Sequence, residues 1–458
     1  MSMYDQLREV WGELTAPGAP FEITTENIRG NPSRTFATAP PTVRDLWLAS
    51  AAYGDRDYLV YDDERITYAE AQRQVASIAN WLCAKGVQPG DRVAIAMRNY
   101  PEWLLAYWAT VTMGAVVVGI NAWWVGPELV YGLNDSCPKV LICDQQRLEQ
   151  TLEHLDELPE MQLVGVRLSG GIPADVTPWQ ELLTTGGELP AVDIDPDSDA
   201  CIFYTSGTTG HPKGAELTHR GCVTNLMNMA FWATCLTTIG QRNGTVPIPE
   251  EGAPLPDTAA LVTTPLFHVT ANNCIAYSIT AGGGKLVFMY KWDATKALEL
   301  VERERITALS GVPVMSRELI SHPDFAKYDT SSLLSLGGGG AQLQPDLVSK
   351  IDEAVATARP NTGYGMTETC GIITSISADF FIDKPESCGP AMPSFEAKTV
   401  DADGNALQPG EIGELWVRGA SVIRGYLNRP EATAETITDG WLHTGDIATW
   451  DEEGFITI

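Results

Sequence analysis

The sequence predicts an α/β fold: two helix-flanked, mainly parallel sheets in layered α/β subdomains over residues 1–386, then a small β-rich, barrel-like subdomain over residues 387–458. Three observations predict it. Helix and strand patterns alternate along the early chain, which calls for parallel sheet with helices on its faces. The alternation breaks between Leu236 and Asp257 and resumes at Ala259. From about Ser387 the pattern changes to short alternating runs set off by turn residues. A chain of 458 residues is also too long for one simple core, so division into subdomains is expected.

The elements follow in order. Met1 to Leu14 carries Asp5, Arg8, Glu9 and Glu13 and lacks the apolar run of a signal peptide. Thr67 and Glu70 form a T-x-x-E capping box for a helix whose apolar face is Ala71, Val75, Ile78, Ala79 and Leu82, with Gly86 placed to end it. Pro89-Gly90-Asp91 turns the chain into a strand, Val93 to Met97. A second helix starts near Pro101, and apolar strands follow at Val116 to Ile120 and Val140 to Cys143. The uncharged span from Trp103 to Pro127 is long enough to cross a bilayer by length alone. It is broken by Gly114, Gly119, Asn121 and Gly126, so a helix followed by a buried parallel strand explains it better, and no transmembrane segment is expected. Gly240, Gly244, Pro247, Pro249, Gly252, Pro254 and Pro256 mark a surface loop between Leu236 and Asp257. Beyond Ser387, Asp401-Ala402-Asp403-Gly404 and Pro409-Gly410 punctuate short strands such as Glu414 to Val417.

Composition narrows the function. A formal net charge of −29 argues against nucleic acid or an anionic membrane surface as the main partner, since both select clustered Lys and Arg. The nine cysteines are scattered without a CxxC pair, which argues against a zinc site or disulfide framework and fits a reducing, cytoplasmic location. An oligomer is compatible with the sequence but not indicated by it.

The strongest chemical signal is Thr205-Ser206-Gly207-Thr208-Thr209-Gly210-His211-Pro212-Lys213-Gly214, directly after the apolar strand Cys201 to Tyr204. Glycines let backbone N–H groups approach a ligand closely, four hydroxyls add donors, and Lys213 adds a mobile positive charge. Together these suit a triphosphate. The loop is not a Walker A motif, because Lys213 is flanked by Pro212 and Gly214.

Here the sequence resembles the adenylate-forming enzymes: acyl-CoA and aryl-CoA ligases, firefly-type luciferases and the adenylation domains of peptide synthetases. In appearance it is nearest to bacterial fatty-acid or aryl-acid CoA ligases. Further motifs resemble that family in the expected order. In Asn361-Thr362-Gly363-Tyr364-Gly365-Met366-Thr367-Glu368-Thr369, Tyr364 offers a flat face for adenine, Thr367 a hydroxyl for the α-phosphate, and Glu368 a hard oxygen for Mg2+. Gly337-Gly338-Gly339-Gly340-Ala341-Gln342 resembles the adenine-side loop. Many relatives have Pro where Gln342 stands and Gln where Thr362 stands. In Trp441-Leu442-His443-Thr444-Gly445-Asp446, the Asp446 carboxylate is the candidate acceptor for the ribose hydroxyls. Gly413 to Gly419 matches a further motif, read as structural. Pro265-Leu266-Phe267-His268 matches a motif at the acyl pocket, and the resemblance places His268 near the substrate carboxylate or at the gate of the acyl tunnel. Tyr204, Phe231, Trp232, Trp123 and Trp124 are read as core aromatics that are also able to line an apolar pocket.

The resemblance implies a reaction in which a carboxylate attacks the α-phosphate of ATP, giving acyl-AMP and pyrophosphate, after which a thiol, usually that of CoA, displaces AMP. The implied ligands are ATP, Mg2+, CoA and a hydrophobic acid that is fatty, aryl or steroid-derived. Positioning and charge neutralisation carry such chemistry, so Thr205, Lys213, His268, Thr367 and Glu368 are the candidate catalytic residues. Ser206 to Gly210, Gly339 to Gln342, Thr362 to Met366 and Asp446 are the candidates for holding the nucleotide. Transfer to a carrier protein or an amine, and nucleotide binding without turnover, remain alternatives. Relatives continue past the equivalent of Ile458 into a mobile C-terminal domain, so the chain as given is expected to bind ATP or acyl-AMP and to adenylate poorly.

Overall fold

A computed structural model of the chain describes residues 1–205, 210–250 and 252–458. Two eight-stranded sheets form its body. In the first, the order is Gly425–Tyr426, Lys213–Thr218, Asp199–Thr205, Val116–Gly119, Arg92–Ala96, Val140–Asp144, Gln162–Val166 and Val176–Pro178. Its pairings are parallel except for the two at the Gly425 edge, where Lys213–Thr218 runs against both its neighbours. In the second, the order is Ile376–Ser377, Arg359–Thr362, Ser335–Gly338, Ala308–Gly311, Ala259–Val262, Lys285–Phe288, Asp57–Tyr61 and Glu64–Thr67, with an antiparallel strand at each edge. The last part of the chain adds a six-stranded antiparallel sheet built around Gly413–Gly419 and Trp441–Trp450.

The uncharged span from Trp103 is explained by its place between the sheets. The helix Pro101–Thr112 touches strands of both, Arg92–Ala96 and Val116–Gly119 on one side and Asp57–Tyr61 on the other. It is buried all round apart from Glu102, so it needs apolar residues on every face. Trp108 anchors it. Its ring stacks on Trp47 at 5.1 Å, and its Nε1–H donates to the Tyr58 hydroxyl at 2.8 Å. Among the described residues no helix is long and apolar enough to cross a membrane.

Two sequence expectations are corrected. The helix His219–Arg242 runs past Leu236, so the loop starts after Arg242. Ile239 is buried, and the chain folds back at Gly240, whose carbonyl accepts from the Thr245 and Val246 N–H groups. Burial thus extends the helix beyond its last local signal. At the other site, only half of the expected capping box forms. The Thr67 hydroxyl accepts from the Glu70 N–H at 3.2 Å, but the Glu70 carboxylate turns to Arg73 and Gln74.

His219 opens the long helix and is fully buried, with Nδ1 accepting from the Val43 N–H at 3.3 Å. Burial pushes its pKa down to about 4. The folded chain therefore holds it neutral, whereas in the unfolded chain it takes up a proton as pH falls through about 6.5. Stability is fully present above that pH and is lost between about 6.5 and about 4, by roughly 3 kcal/mol. His219→Asn, which keeps an acceptor but cannot titrate, is expected to show a flatter fall of melting temperature over this range than the unmodified chain. Equal slopes would contradict this assignment.

Candidate active site

The site is organised by one turn. The parallel strands Ser335–Gly338 and Arg359–Thr362 end side by side, with the Thr362 hydroxyl donating to the Gly338 carbonyl at 2.8 Å. In open α/β sheets ligands bind beyond such carboxyl ends. Past Thr362 the chain forms the two-residue strand Gly365–Met366, a 3-10 turn over Thr367–Thr369, and the strand Gly371–Ile372, which pairs back antiparallel. This pairing leaves no room for side chains. A Cβ at Gly365 would lie 2.0 Å from the Gly371 carbonyl oxygen, and Gly371 itself has φ +145°. Cys370 is held at φ +57°, a strained position for a residue with a side chain.

Two fully buried amides hold the strained segment. Asn225 Oδ1 accepts from the Ile372 N–H at 2.9 Å, and Asn273 Nδ2 donates to the Cys370 carbonyl at 3.0 Å. Asn225 comes from the helix His219–Arg242, and Asn273 from a π-helical turn, Thr270–Ala276. Local departures from α geometry of this kind often accompany functional sites.

On one side of the turn lies a cavity of about 380 Å³, a typical size for a small-molecule site. It is lined by Gly340, Ala341, Gln342, Thr362, Gly363, Tyr364, Gly365 and Asp446, all named from the sequence, together with Phe381, Ser387 and neighbours. The Tyr364 hydroxyl donates to Asp446 Oδ2 at 2.6 Å. Burial, reinforced by that carboxylate, raises the Tyr364 pKa, so the phenol stays a donor. Asp446 sits in the strand Trp441–Trp450, steadied by the Gly445 N–H donating to Glu414 at 3.0 Å and the Thr444 hydroxyl donating to the Leu415 carbonyl at 2.7 Å.

On the other side is a second cavity, also of about 380 Å³. Its wall is mainly apolar: Met229, Trp232, Ala233 and Leu236 from the long helix, with Ile275, Ile279 and Ile372 opposite. Burial pushes the Cys274 thiol in this wall up to about 11, so it is neutral. The two cavities share Gly340, Thr362, Gly363 and Gly365, and therefore meet at the turn; Gly339 lines the apolar one.

The phosphate-loop expectation falls on a β-hairpin. Asp199–Thr205 pairs antiparallel with Lys213–Thr218, with Thr205 opposite Lys213. Ser206, Gly207, Thr208 and Thr209 lie outside the described residues. Gly210 has φ +118°, suited to glycine. His211 stacks on Tyr131 at 4.7 Å, and the Tyr131 hydroxyl donates to the Pro212 carbonyl at 2.8 Å, which fixes the return of the loop. The Lys213 ammonium sits 4.4 Å from the Tyr426 ring centroid. Glu368 is 6% exposed, and its Oε1 accepts from the Tyr426 hydroxyl at 2.7 Å. Its Oε2 accepts no hydrogen bond from the described residues.

Not every expected residue lines a cavity. Thr205, Lys213, Thr367 and Glu368 line neither, and Met366 packs against the apolar core. His268 also lines neither; its ring lies against Phe267 at 4.8 Å, burial lowers its pKa, and it is the adjoining Val269 and Thr270 that face the apolar cavity. Of the aromatics, Trp232 lines the apolar cavity, Tyr204 and Phe231 are core, and Trp123 is exposed. Sequence reasoning missed Asn225, Asn273 and Tyr426. Only Tyr426 had a signal, its position just after the motif Gly413 to Gly419.

Comparison with known proteins agrees with this geometry. The chain matches the family described as AMP-binding enzyme over residues 46–427. It is 36% identical over 403 residues to the feruloyl-CoA synthase of an Amycolatopsis species, covering 86% of this chain and 73% of that protein. It is 32% identical to the long-chain-fatty-acid–CoA ligase of Salmonella typhimurium, covering 90% of this chain and 75% of that protein. Among solved structures, the inhibitor-bound N-terminal domain of FACL13 from Mycobacterium tuberculosis superposes with a TM-score of 0.76 at 28% identity, covering 91% of this chain and 98% of that one. With the family matched across most of its length, and with a cavity of nucleotide size joined to an apolar one at a glycine-rich turn, the chain belongs to the AMP-binding enzymes.

Proposed function

We propose that this chain is the nucleotide- and acyl-binding part of an ATP-dependent carboxylic acid–CoA ligase that acts through acyl-AMP on a hydrophobic acid. The observation that carries this reading is the meeting of the two cavities on Gly340, Thr362, Gly363 and Gly365. An apolar acid in one and a nucleotide in the other bring carboxylate and α-phosphate together at the shared wall. A carboxylate oxygen then attacks the α-phosphorus and pyrophosphate leaves. In the second step the CoA sulfur attacks the acyl carbon and AMP leaves. Neither step needs a nucleophilic side chain, so orientation and charge neutralisation are what the protein supplies.

In this reading Tyr364 and the glycines at 340, 363 and 365 face the base, with Ala341 and Gln342 at its exposed edge, while Gly339, expected on the nucleotide side, faces the acyl cavity instead. Asp446, with Oδ1 left over from the Tyr364 bond, accepts from the ribose hydroxyls. Thr367 donates to the α-phosphate, while Thr205, Lys213 and the loop between them grip the outer phosphates. His268 belongs to the acyl side, through its neighbours Val269 and Thr270. Residues 1–386 supply the acyl wall and most of the nucleotide cavity, and residues 387–458 supply Asp446.

The donor set fits Mg2+. Among the described residues there is no cluster of three or more acidic, His or Cys side chains able to cage a metal. A single carboxylate, Glu368, beside a phosphate site is what Mg2+ uses when it is carried largely by substrate phosphates. When bound, Mg2+ would neutralise phosphate charge and polarise the reacting phosphorus.

Pyrophosphate exchange and thioester formation by the full-length protein, measured over fatty, aryl and ring-fused acids of graded size, test the reading. Hydrophobic acids are expected to support both. Exchange with small polar acids alone would overturn the substrate class, and exchange without thioester would overturn the acceptor.

Two substitutions separate the cavities. Asp446→Asn is expected to weaken AMP binding about tenfold, the scale of a lost hydrogen bond to a charged group, while leaving binding of the free acid unchanged. Ala233→Trp fills the apolar cavity and is expected to abolish acid binding while sparing AMP. Calorimetric titration with each ligand reads both effects; a loss of both ligands in either variant would contradict the assignment.

A further inference from the structure

We infer that Tyr426 is a positioning residue for the phosphate side of the site, holding the Glu368 carboxylate through its hydroxyl and the Lys213 ammonium over its ring. The inference rests on the ligase reading but adds a residue that the sequence motifs did not supply.

The geometry is specific at both ends. A glutamate carboxylate rotates freely about its last torsion unless something fixes it. Here the Tyr426 hydroxyl donates to Oε1 at 2.7 Å, leaving Oε2 unoccupied by the described residues. The backbone adds a second tie, the Ile423 N–H donating to the Glu368 carbonyl at 3.0 Å. Lysine carries a compact charge on a flexible stem. Lys213 forms no ion pair with the described residues, and its ammonium rests 4.4 Å from the Tyr426 ring centroid, within the range of an attractive contact with an aromatic face.

Tyr426 is itself held firmly. It is 6% exposed, its strand pairs with Lys213–Thr218 through Ala215, and its N–H donates to the Thr433 hydroxyl at 2.9 Å.

One consequence is separation of opposite charges. Lys213 and Glu368 both touch the same phenol, yet no ion pair joins them. A direct pair would consume the carboxylate needed by a hard cation and the ammonium needed by phosphate. With the ring and hydroxyl of Tyr426 as partners, each charge keeps its free side for ligand.

The test is calorimetric titration with ATP, with and without Mg2+, on the unmodified chain and on Tyr426→Phe, Tyr426→Leu, Glu368→Gln and the double variant Tyr426→Phe/Glu368→Gln. Melting temperatures serve as a check on folding. Mg2+ is expected to tighten ATP binding to the unmodified chain. Tyr426→Phe, which keeps the ring, is expected to lose about tenfold of that tightening while metal-free ATP binding stays the same. Tyr426→Leu is expected to weaken metal-free ATP binding as well, by about fivefold, the scale of a lost cation–ring contact. In the Glu368→Gln background, Tyr426→Phe is expected to add nothing, because both act on one bond. Equal weakening with and without Mg2+, or independent effects in the double variant, would overturn the inference in favour of a merely structural tyrosine. Undiminished Mg2+ tightening in Tyr426→Phe would overturn it too. Should either Tyr426 variant fail to fold, Glu368→Gln reads the same bond from its other end and must by itself abolish the Mg2+ effect. Absence of any ATP binding by the unmodified chain would instead refute the ligase reading and this inference with it.

Discussion

No side chain fits at Gly365, because the Gly371 carbonyl oxygen lies where a Cβ would have to go. That close approach folds the segment Gly365 to Ile372 back on itself, and the rest of the site depends on it. Tyr364 enters the turn facing the nucleotide-sized cavity, Thr367 and Glu368 form its tip, and Gly371 and Ile372 leave it as part of the apolar wall. Three parts of the site are thereby placed by a single stretch of backbone. The strain at Cys370 is held by the amides of Asn225 and Asn273, whose own burial would be unfavourable without those bonds.

A chain with a formal charge of −29 is an unexpected host for a triphosphate, and solvent screening of the surface together with one sheltered lysine eases the conflict. Many of its basic side chains are tied to carboxylates, as Arg167 is to Glu64 and Glu102, and Arg220 to Asp197 and Glu26. Such surface charges are screened over about 8–10 Å at ordinary ionic strength. Lys213 is half-buried and rests on an aromatic ring, so its charge stays available where solvent screens it less. The hairpin that carries it is stiffened from outside by Tyr131, which stacks on His211 and binds the Pro212 carbonyl.

Much of this was legible in the sequence because it is local. Turn glycines, hydroxyl runs and apolar periodicity act over a few residues, so the strand leading into Thr205, the strand at Val116 and the glycine-rich stretch at Gly339 could be placed directly. The buried helix Pro101–Thr112 could be told from a membrane span because glycines follow it. What could not be read is long-range. Asn225 meets Ile372 across 147 residues and Tyr426 meets Glu368 across 58, and neither has a spacing that marks it. The end of the long helix was missed for the same reason, since burial of Ile239 overrides the local turn signal at Gly240. His268 shows the limit of a motif: its neighbours Val269 and Thr270 reach the apolar cavity, while its own ring stays with Phe267.

One ligand spanning both cavities would cross between them at Thr362, Gly363 and Gly365. A crystal structure of the chain with a non-reactive acyl-AMP mimic, an acyl-sulfamoyladenosine bearing a hydrophobic acyl group, tests it most directly. Adenosine is expected between Tyr364 and Asp446, the sulfamoyl group at the shared wall, and the acyl group against Trp232 and Ala233. An acyl group lying outside the apolar cavity, or adenosine bound away from Asp446, would contradict this placement.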